Sequence, residues 1–323
     1  MLMPRFVVSI YLVSVIALGA GMVSGQDFPN KPIRIATAGA GGGSDFISRQ
    51  IAQGISGPLG QPVIVMNTGG GGGGVIQGEF LLKSPPDGSG LAVVGGSFWI
   101  TPLLQKMPYD VVRDFSPISL VAREVSVVAV HPSVPAKSVK ELIVLAKASP
   151  GALNYGSSST GSPSHLAGEL FNSLAGVRMV RVAYKGSALA ITALISGEVP
   201  LVITDAGLVM PHVKSGRLRA LAVTSAQPTA LVPGMPTVAA SGLPGYEIVG
   251  MTTIFAPGRT PMAIINRLNQ EIVRVLSMPD VKERLLSTGV EAVGTSPEQF
   301  AAILKADIAT MGKLIKDAGI KVN

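Results

Sequence analysis

Two small-residue segments, more than a hundred positions apart, carry the side chains and backbone that could do chemistry: Gly39-Ala40-Gly41-Gly42-Gly43-Ser44-Asp45 and Gly156-Ser157-Ser158-Ser159-Thr160-Gly161-Ser162-Pro163-Ser164-His165. Each is predicted to join a strand to the start of a helix. The first four N–H groups of a helix have no intrahelical partner and sit at its positive end, so a small carboxylate or phosphate can settle there without an arginine. Two such sockets facing one another would form a clamp. In the first, Gly41, Gly42 and Gly43 let backbone N–H groups approach an anion unobstructed, and Ser44 adds a hydroxyl that can donate to a ligand or cap the helix. Asp45 reads as structural, because a carboxylate at a helix start satisfies free N–H groups and would repel a bound acid. In the second, Ser158, Ser159, Thr160 and Ser162 are candidate donors, and Pro163 suits a first helical position. His165 has two readings, a donor to the ligand or a packed, hydrogen-bonded helix-start residue.

Other polar groups occupy corresponding strand ends. Gly95-Gly96-Ser97 follows one strand, so Ser97 is a candidate contact, and Trp99 just beyond it either stacks on a ring-bearing acid or fills the core. Lys185, in Tyr184-Lys185-Gly186-Ser187, either draws a ligand's distal charge or lies in solvent. Asp205 is a candidate acceptor for a ligand hydroxyl, amine or bridging water. Catalytic chemistry has little to stand on: His131, His165 and His212 are the only histidines, cysteine is absent, no pair has metal-site spacing, and no Gly-x-Ser-x-Gly elbow occurs. The glycines at 69–74 satisfy a dinucleotide pattern trivially, with no acidic residue about twenty positions on to hold a ribose. They read as a loop between strand and helix. No cofactor is implied, and the expectation is a binding protein, not an enzyme.

The elements that must position these groups alternate in type. Val- and Ile-rich runs at 33–37, 63–65, 91–94, 125–130, 153–155, 179–182, 201–204 and 218–223 read as strands. Helical periodicity lies between them at 44–55, 75–83, 139–147, 164–174, 187–196 and 208–214. This predicts an α/β fold with largely parallel sheets, in which ligands gather outside the carboxyl ends of the strands. After Pro261 only helices are predicted, at 263–276, 281–286 and 297–318, forming a helical C-terminal region. Proline-rich punctuation at 132–135 and 228–236 marks a hinge side. A chain of 323 residues exceeds one small core, and the expected domains are 26–124 with 226–323, and 125–225, enclosing a cleft.

Residues 1–25 have the layout of a secretory signal: Arg5, an apolar run over 6–23, then Val23-Ser24-Gly25 as a small-residue cleavage site. Cleavage near Gly25 is expected; an uncleaved anchor is the competing reading, weakened by Ser9, Ser14, Gly19 and Gly21. Without cysteine there is neither a disulfide nor a lipid-modified N-terminal cysteine, so a free periplasmic product is expected. Of 26 Lys and Arg and 19 Asp and Glu, only Arg5 falls in that leader, leaving a surplus of six that mildly favours anionic small molecules. Scattered basic residues and few aromatics argue against nucleic acid as a partner.

Several stretches together resemble the substrate-binding proteins of tripartite tricarboxylate transporters, the Bug family. They include Pro29-Asn30-Lys31-Pro32-Ile33-Arg34, Gly41-Gly42-Gly43-Ser44-Asp45, Leu59-Gly60-Gln61-Pro62-Val63, Pro86-Asp87-Gly88, Arg113-Asp114-Phe115 and Pro135-Ala136-Lys137-Ser138-Val139. Leu153-Asn154-Tyr155, Ser164-His165-Leu166-Ala167, Ala183-Tyr184-Lys185-Gly186-Ser187, Gly216-Arg217-Leu218-Arg219-Ala220 and Gly242-Leu243-Pro244-Gly245-Tyr246 continue the likeness over nearly the whole mature length. The resemblance implies a two-domain periplasmic-binding-protein fold with a hinge and interdomain cleft. It implies closure around a small organic acid and delivery to membrane permease subunits, with presentation to a sensor kinase as the alternative. It also implies that one carboxylate is held by amides and hydroxyls of the two loops, often through water. Two departures bear on the ligand. Thr37-Ala38-Gly39-Ala40 stands where the family more often has a bulky pair such as Pro-Phe, which makes the first socket roomier, and Ala206-Gly207 follows Asp205 where many relatives have Asn.

Overall fold

The computed structural model describes residues 28–41, 43–68, 74–158 and 161–320. The leader, Gly42, Ser159, Thr160 and the glycines at 69–73 lie outside the described residues. The first half of the chain runs β1 (Ile33–Thr37), α1 (Gly43–Leu59), β2 (Val63–Asn67), α2 (Val75–Lys83), β3 (Gly90–Gly95), α3 (Ser97–Leu104), α4 (Val111–Asp114) and the long β4 (Phe115–Val130). It continues through α5 (Val139–Ala148), β5 (Asn154–Ser157), α6 (Pro163–Ala175), β6 (Val180–Ala183), α7 (Ser187–Ile195), β7 (Leu201–Asp205), α8 (Ala206–Lys214) and β8 (Arg219–Val223). The return strand β9 (Val249–Pro257) leads to α9 (Met262–Ser277), α10 (Pro279–Ser287), β10 (Val290–Ala292) and α11 (Pro297–Asp317).

β1 lies between β2 and β3 with Ile35 opposite both Val65 and Leu91, and β5 lies between β6 and β7; these pairings are parallel. The sheet as a whole is mixed, which corrects the largely parallel expectation. β9 runs antiparallel to β3 and β4, and β4 runs antiparallel to β7, β8 and β10. The physical reason is that β4 and β9 cross between the two halves in opposite directions and pair with each other on the way. β4 changes partners part-way along: Phe115 to Val125 pair with β9, while Ser126 to Val130 pair with β7. A second correction concerns the C-terminal region, where β10 interrupts the helices and pairs Val290 with Glu124.

Local chemistry explains where the helices begin. The Ser138 hydroxyl caps α5 by accepting from the Glu141 N–H, while the Glu141 carboxylate accepts from the Lys137 N–H. Ser296 and Gln299 form a reciprocal capping box at α11. One face of α9, including Ile265, Leu268, Ile272 and Val275, is buried together with Ile47, Ile51 and Ile55 of α1 and with β1 and β3. A second cluster joins Val127, Ala129, Val202 and Val223 to α7 and α8. The third spans both halves: Phe98, Phe115, Phe255 and Phe300 make ring contacts, and the cluster continues along Met311 and Leu314 of α11 to Phe171 of α6. Each such side chain, fully buried, contributes about 1.5–3 kcal/mol. The segment at 226–248 joins this cluster from the α6 side, where the Tyr246 hydroxyl donates to the Ala167 carbonyl at 3.0 Å.

Candidate functional site

The two loops take their shapes from the same device. Gly41, at φ 79°, donates its N–H at 2.9 Å to Oδ2 of Asp45, four residues on. Gly161, at φ 76°, donates its N–H at 3.0 Å to Nδ1 of His165, also four residues on. Glycine reaches this left-handed conformation without the steric penalty of a β-carbon. Asp45 is 4% exposed and is held further by Arg49 Nε at 3.1 Å and Asn67 Nδ2 at 2.8 Å. The Arg49 hydrogen bond, above all, brings its carboxyl down to about 2. His165 is 5% exposed, and burial, assisted by the Arg181 charge, lowers its imidazole to about 4. With Nδ1 accepting from Gly161, the neutral ring carries its proton on Nε2. Below the second loop, Arg181 donates through Nε to the Ser157 hydroxyl at 2.6 Å and through its terminal nitrogen to the Ser158 carbonyl at 2.7 Å.

Between these loops lies a cleft of about 520 Å³. Gly43 and Ser44 at the start of α1 line it, with Gly95, Gly96 and Ser97 at the start of α3, and Gly161, Ser162 and Pro163 at the start of α6. The halves approach closely here: a β-carbon on Gly161 would stand 2.5 Å from Cδ1 of Leu104 in α3. Three helix N-termini thus open onto one crevice. Among the described lining residues none is basic, and the single acidic one is Glu124.

Of the sequence candidates, the structure brings Gly43, Ser44, Ser97 and Ser162 together. Ser162 also caps α6, accepting from the His165 N–H at 3.3 Å. Gly41 lies behind the α1 start, tied to Asp45, and the Ser158 hydroxyl lies 3.1 Å from that of Ser164. His165 sits beneath the loop rather than on the cleft face, and Lys185 is exposed in the turn before α7, away from the cleft lining. Asp205 ends β7 opposite Ser126, one step behind the lining residues. Gly42, Ser159 and Thr160 fall outside the described residues. Trp99 is a core residue, 1% exposed, with Nε1 donating to Asp307 at 2.5 Å. Sequence reasoning missed Glu124 and the β9 residues Gly250, Met251 and Thr252 that floor the cleft. A charged Arg123-Glu124 pair inside an otherwise uncharged strand was the available signal.

Residues 47–320 match the family described as the tripartite tricarboxylate transporter family receptor. The chain belongs to this family. It is 32% identical over 307 residues to the protein BugT of Bordetella pertussis, with 94% of each chain covered. Among solved structures it is similar to R. palustris Rpa4515 with adipate, at 34% identity and TM-score 0.75, covering 91% of this chain and 99% of that one. It is also similar to the periplasmic binding protein BugD, at 28% identity and TM-score 0.71, covering 91% and 99% respectively. The receptor therefore has the two-domain periplasmic-binding-protein fold and is a solute-binding protein of the Bug family, not an enzyme. No helix among its described residues is long and apolar enough to cross a membrane.

Proposed function

We propose that this receptor captures a small organic acid in the cleft between its lobes, in the periplasm, and delivers it to the permease subunits of a tripartite tricarboxylate transporter. The observation that carries this reading is the convergence of the α1, α3 and α6 N-termini on one crevice whose described lining has no basic side chain. Such a site binds an anion through oriented N–H groups and hydroxyls. The ligand contacts fall to the first turn of α1 with Gly42, Gly43 and Ser44, to Ser97, and to Ser159, Thr160 and Ser162 of the second loop. His165 and Asp45 hold the loops in shape. Adipate in the neighbouring Rpa4515 supports an acid of modest size. Charge-assisted hydrogen bonds contribute about 1.5–3 kcal/mol each, so a handful suffices for the roughly 8 kcal/mol of micromolar affinity after ordering losses.

The first lobe comprises residues from 26 to 124 together with the C-terminal part of the chain, and the second begins at 125, where β4 exchanges β9 for β7. The return crossing is expected near residue 225 from the sequence; the contact of Tyr246 with Ala167 of α6 supports a crossing nearer 248. The leader at 1–25 is removed near Gly25 on export. A thermal-shift screen of the mature receptor across short dicarboxylates, amino acids and aromatic acids tests the reading. The melting temperature should rise with the logarithm of the concentration of the acid that binds; no shift with any acid would refute it. Ser44→Ala with Ser97→Ala should weaken binding about tenfold or more while leaving the free protein's melting temperature nearly unchanged. Capture of permease subunits from membranes by the loaded receptor supports transport, whereas capture of a sensor kinase alone would replace it with signalling.

A further inference from the structure

If the cleft holds a small acid, as this inference assumes, the residues at its inner end decide which acid. The cleft adjoins a second cavity of about 370 Å³, and Gly96, Ile100, Pro163, Gly250 and Met251 line both. None of these five has a charge, hydroxyl or amide in its side chain, so the neck between the compartments is apolar. Beyond the neck, Leu166 and Leu170 of α6 and Ile303 and Met311 of α11 continue apolar walls. Arg123 of β4 lines this second compartment. Its Nε is buried without a hydrogen-bond partner, and among the described residues its guanidinium forms no ion pair. A buried donor on a charged group favours a ligand that supplies an acceptor, and the guanidinium fork fits a carboxylate.

The neighbouring acids do not fill that role. Asp307 accepts from Trp99 Nε1 at 2.5 Å, and burial above all, with the Glu247 charge adding, pushes its carboxyl up. Glu247 itself is exposed. At the cleft floor, burial and then the Asp205 charge push the Glu124 carboxyl up, which weakens its opposition to an anionic ligand. The two compartments thus offer donors at both ends, the helix starts and Arg123, with an apolar neck between. A polar group in the middle of the ligand would lose water there without gaining a side-chain partner. We propose that Arg123 sets the specificity of this receptor, taking the second carboxylate of a diacid whose first lies on the helix starts and whose apolar middle crosses the neck.

Isothermal titration of the mature receptor at neutral pH with matched probes tests this: succinate, glutarate, adipate and pimelate; the monoacids butyrate and hexanoate; ε-aminocaproate, whose far end would suit Glu247 and Asp307 instead; and citrate. The tightest diacid should be longer than succinate, and adipate should bind tighter than hexanoate, ε-aminocaproate and citrate by about tenfold or more. Arg123→Met keeps an apolar stem and removes the cation, so the ratio of adipate to hexanoate should fall to within about threefold; Arg123→Lys, which keeps the charge without the fork, should lie between. Melting curves of the free variants show that they are folded, and the comparison of probes on the unmodified receptor stands without them. Hexanoate, ε-aminocaproate or citrate equal to adipate, an optimum at succinate, or a ratio that survives in Arg123→Met would overturn the proposal. Silence from all these probes while another acid shifts the melting temperature would overturn this inference alone; silence from every acid would remove the acid-receptor reading as well.

Discussion

Asp45 and His165 perform the same mechanical task with opposite chemistry. Each accepts the N–H of a left-handed glycine four residues earlier, and each is nearly buried while doing so. Their pH windows differ. Asp45 is depressed from its ordinary 3.8 to about 2, chiefly by Arg49, so its stabilisation is complete above 3.8 and is lost as pH falls toward 2. His165 is also depressed, from 6.5 to about 4, chiefly by burial. The folded protein favours the neutral ring, so this stability is full above 6.5 and declines as pH falls from 6.5 through 4. At one pKa unit per 1.36 kcal/mol, the loss is on the order of 3 kcal/mol. His165→Asn places an untitratable acceptor near the position of Nδ1. Its melting temperature should hold nearly level across that window, leaving only the carboxylate-linked fall at lower pH; parallel curves for both proteins would show that His165 does not set the acid response.

Among the elements, α6 carries the second loop, and its seat on β5 depends on Gly168. A β-carbon there would lie 2.2 Å from Cε2 and 2.4 Å from Cζ of the buried Tyr155, whose hydroxyl donates to Glu169 at 2.5 Å. Gly168→Ala gains about 1 kcal/mol of helix propensity but forces the ring or the helix to move, at a cost of about 1–3 kcal/mol for overpacking. A melting temperature lower by a few degrees and weaker ligand binding are expected, since the displaced helix carries Ser162; an unchanged melt with unchanged affinity would mean that Tyr155 moves freely. Much of this scaffold was legible in the sequence. β1, β3, α1 and α6 announce themselves by apolar runs, small-residue loops and a Ser-Pro helix start, so the α1 and α6 starts could be anticipated, whereas the sequence reading has no helix at α3 (Ser97–Leu104), only Ser97 as a strand-end contact. The hinge could not be traced as well. β4 begins ten residues before its apolar stretch, through a segment containing Pro117, which the strand tolerates because its register shifts between Pro117 and Ser119. β9, with Thr252 and Thr253 at its centre, earns its place by pairing with strands far away in sequence. Glu124 was overlooked for the same reason: its significance comes from facing Gly43 and Gly250, which only the crossing of β4 and β9 brings together.

At the scale of the whole molecule, the arrangement of strands dictates how the cleft can close. Among the described residues β4, β9 and α11 connect the halves near the pivot, and β4 changes partners between Val125 and Ser126. Rotation there moves the α6 start toward the α1 and α3 starts without breaking either half-sheet, and a ligand bridging both sides favours the closed population by its extra contacts in that state. α11 limits the path, since it contacts both α3 and α6. Its tie to α3 includes the hydrogen bond from Trp99, the only tryptophan in the chain, to Asp307. α3 and α11 should therefore travel together, with Trp99 reporting on the interior of one lobe while scattering reports on the distance between lobes. On saturation with the acid that binds, the radius of gyration from small-angle scattering should decrease, whereas the Trp99 emission maximum and its resistance to acrylamide quenching should stay unchanged. The opposite pairing, a constant radius of gyration with a shifted or newly quenchable Trp99, would mean that the ligand rearranges the α3–α11 contact locally instead of closing the lobes as rigid bodies.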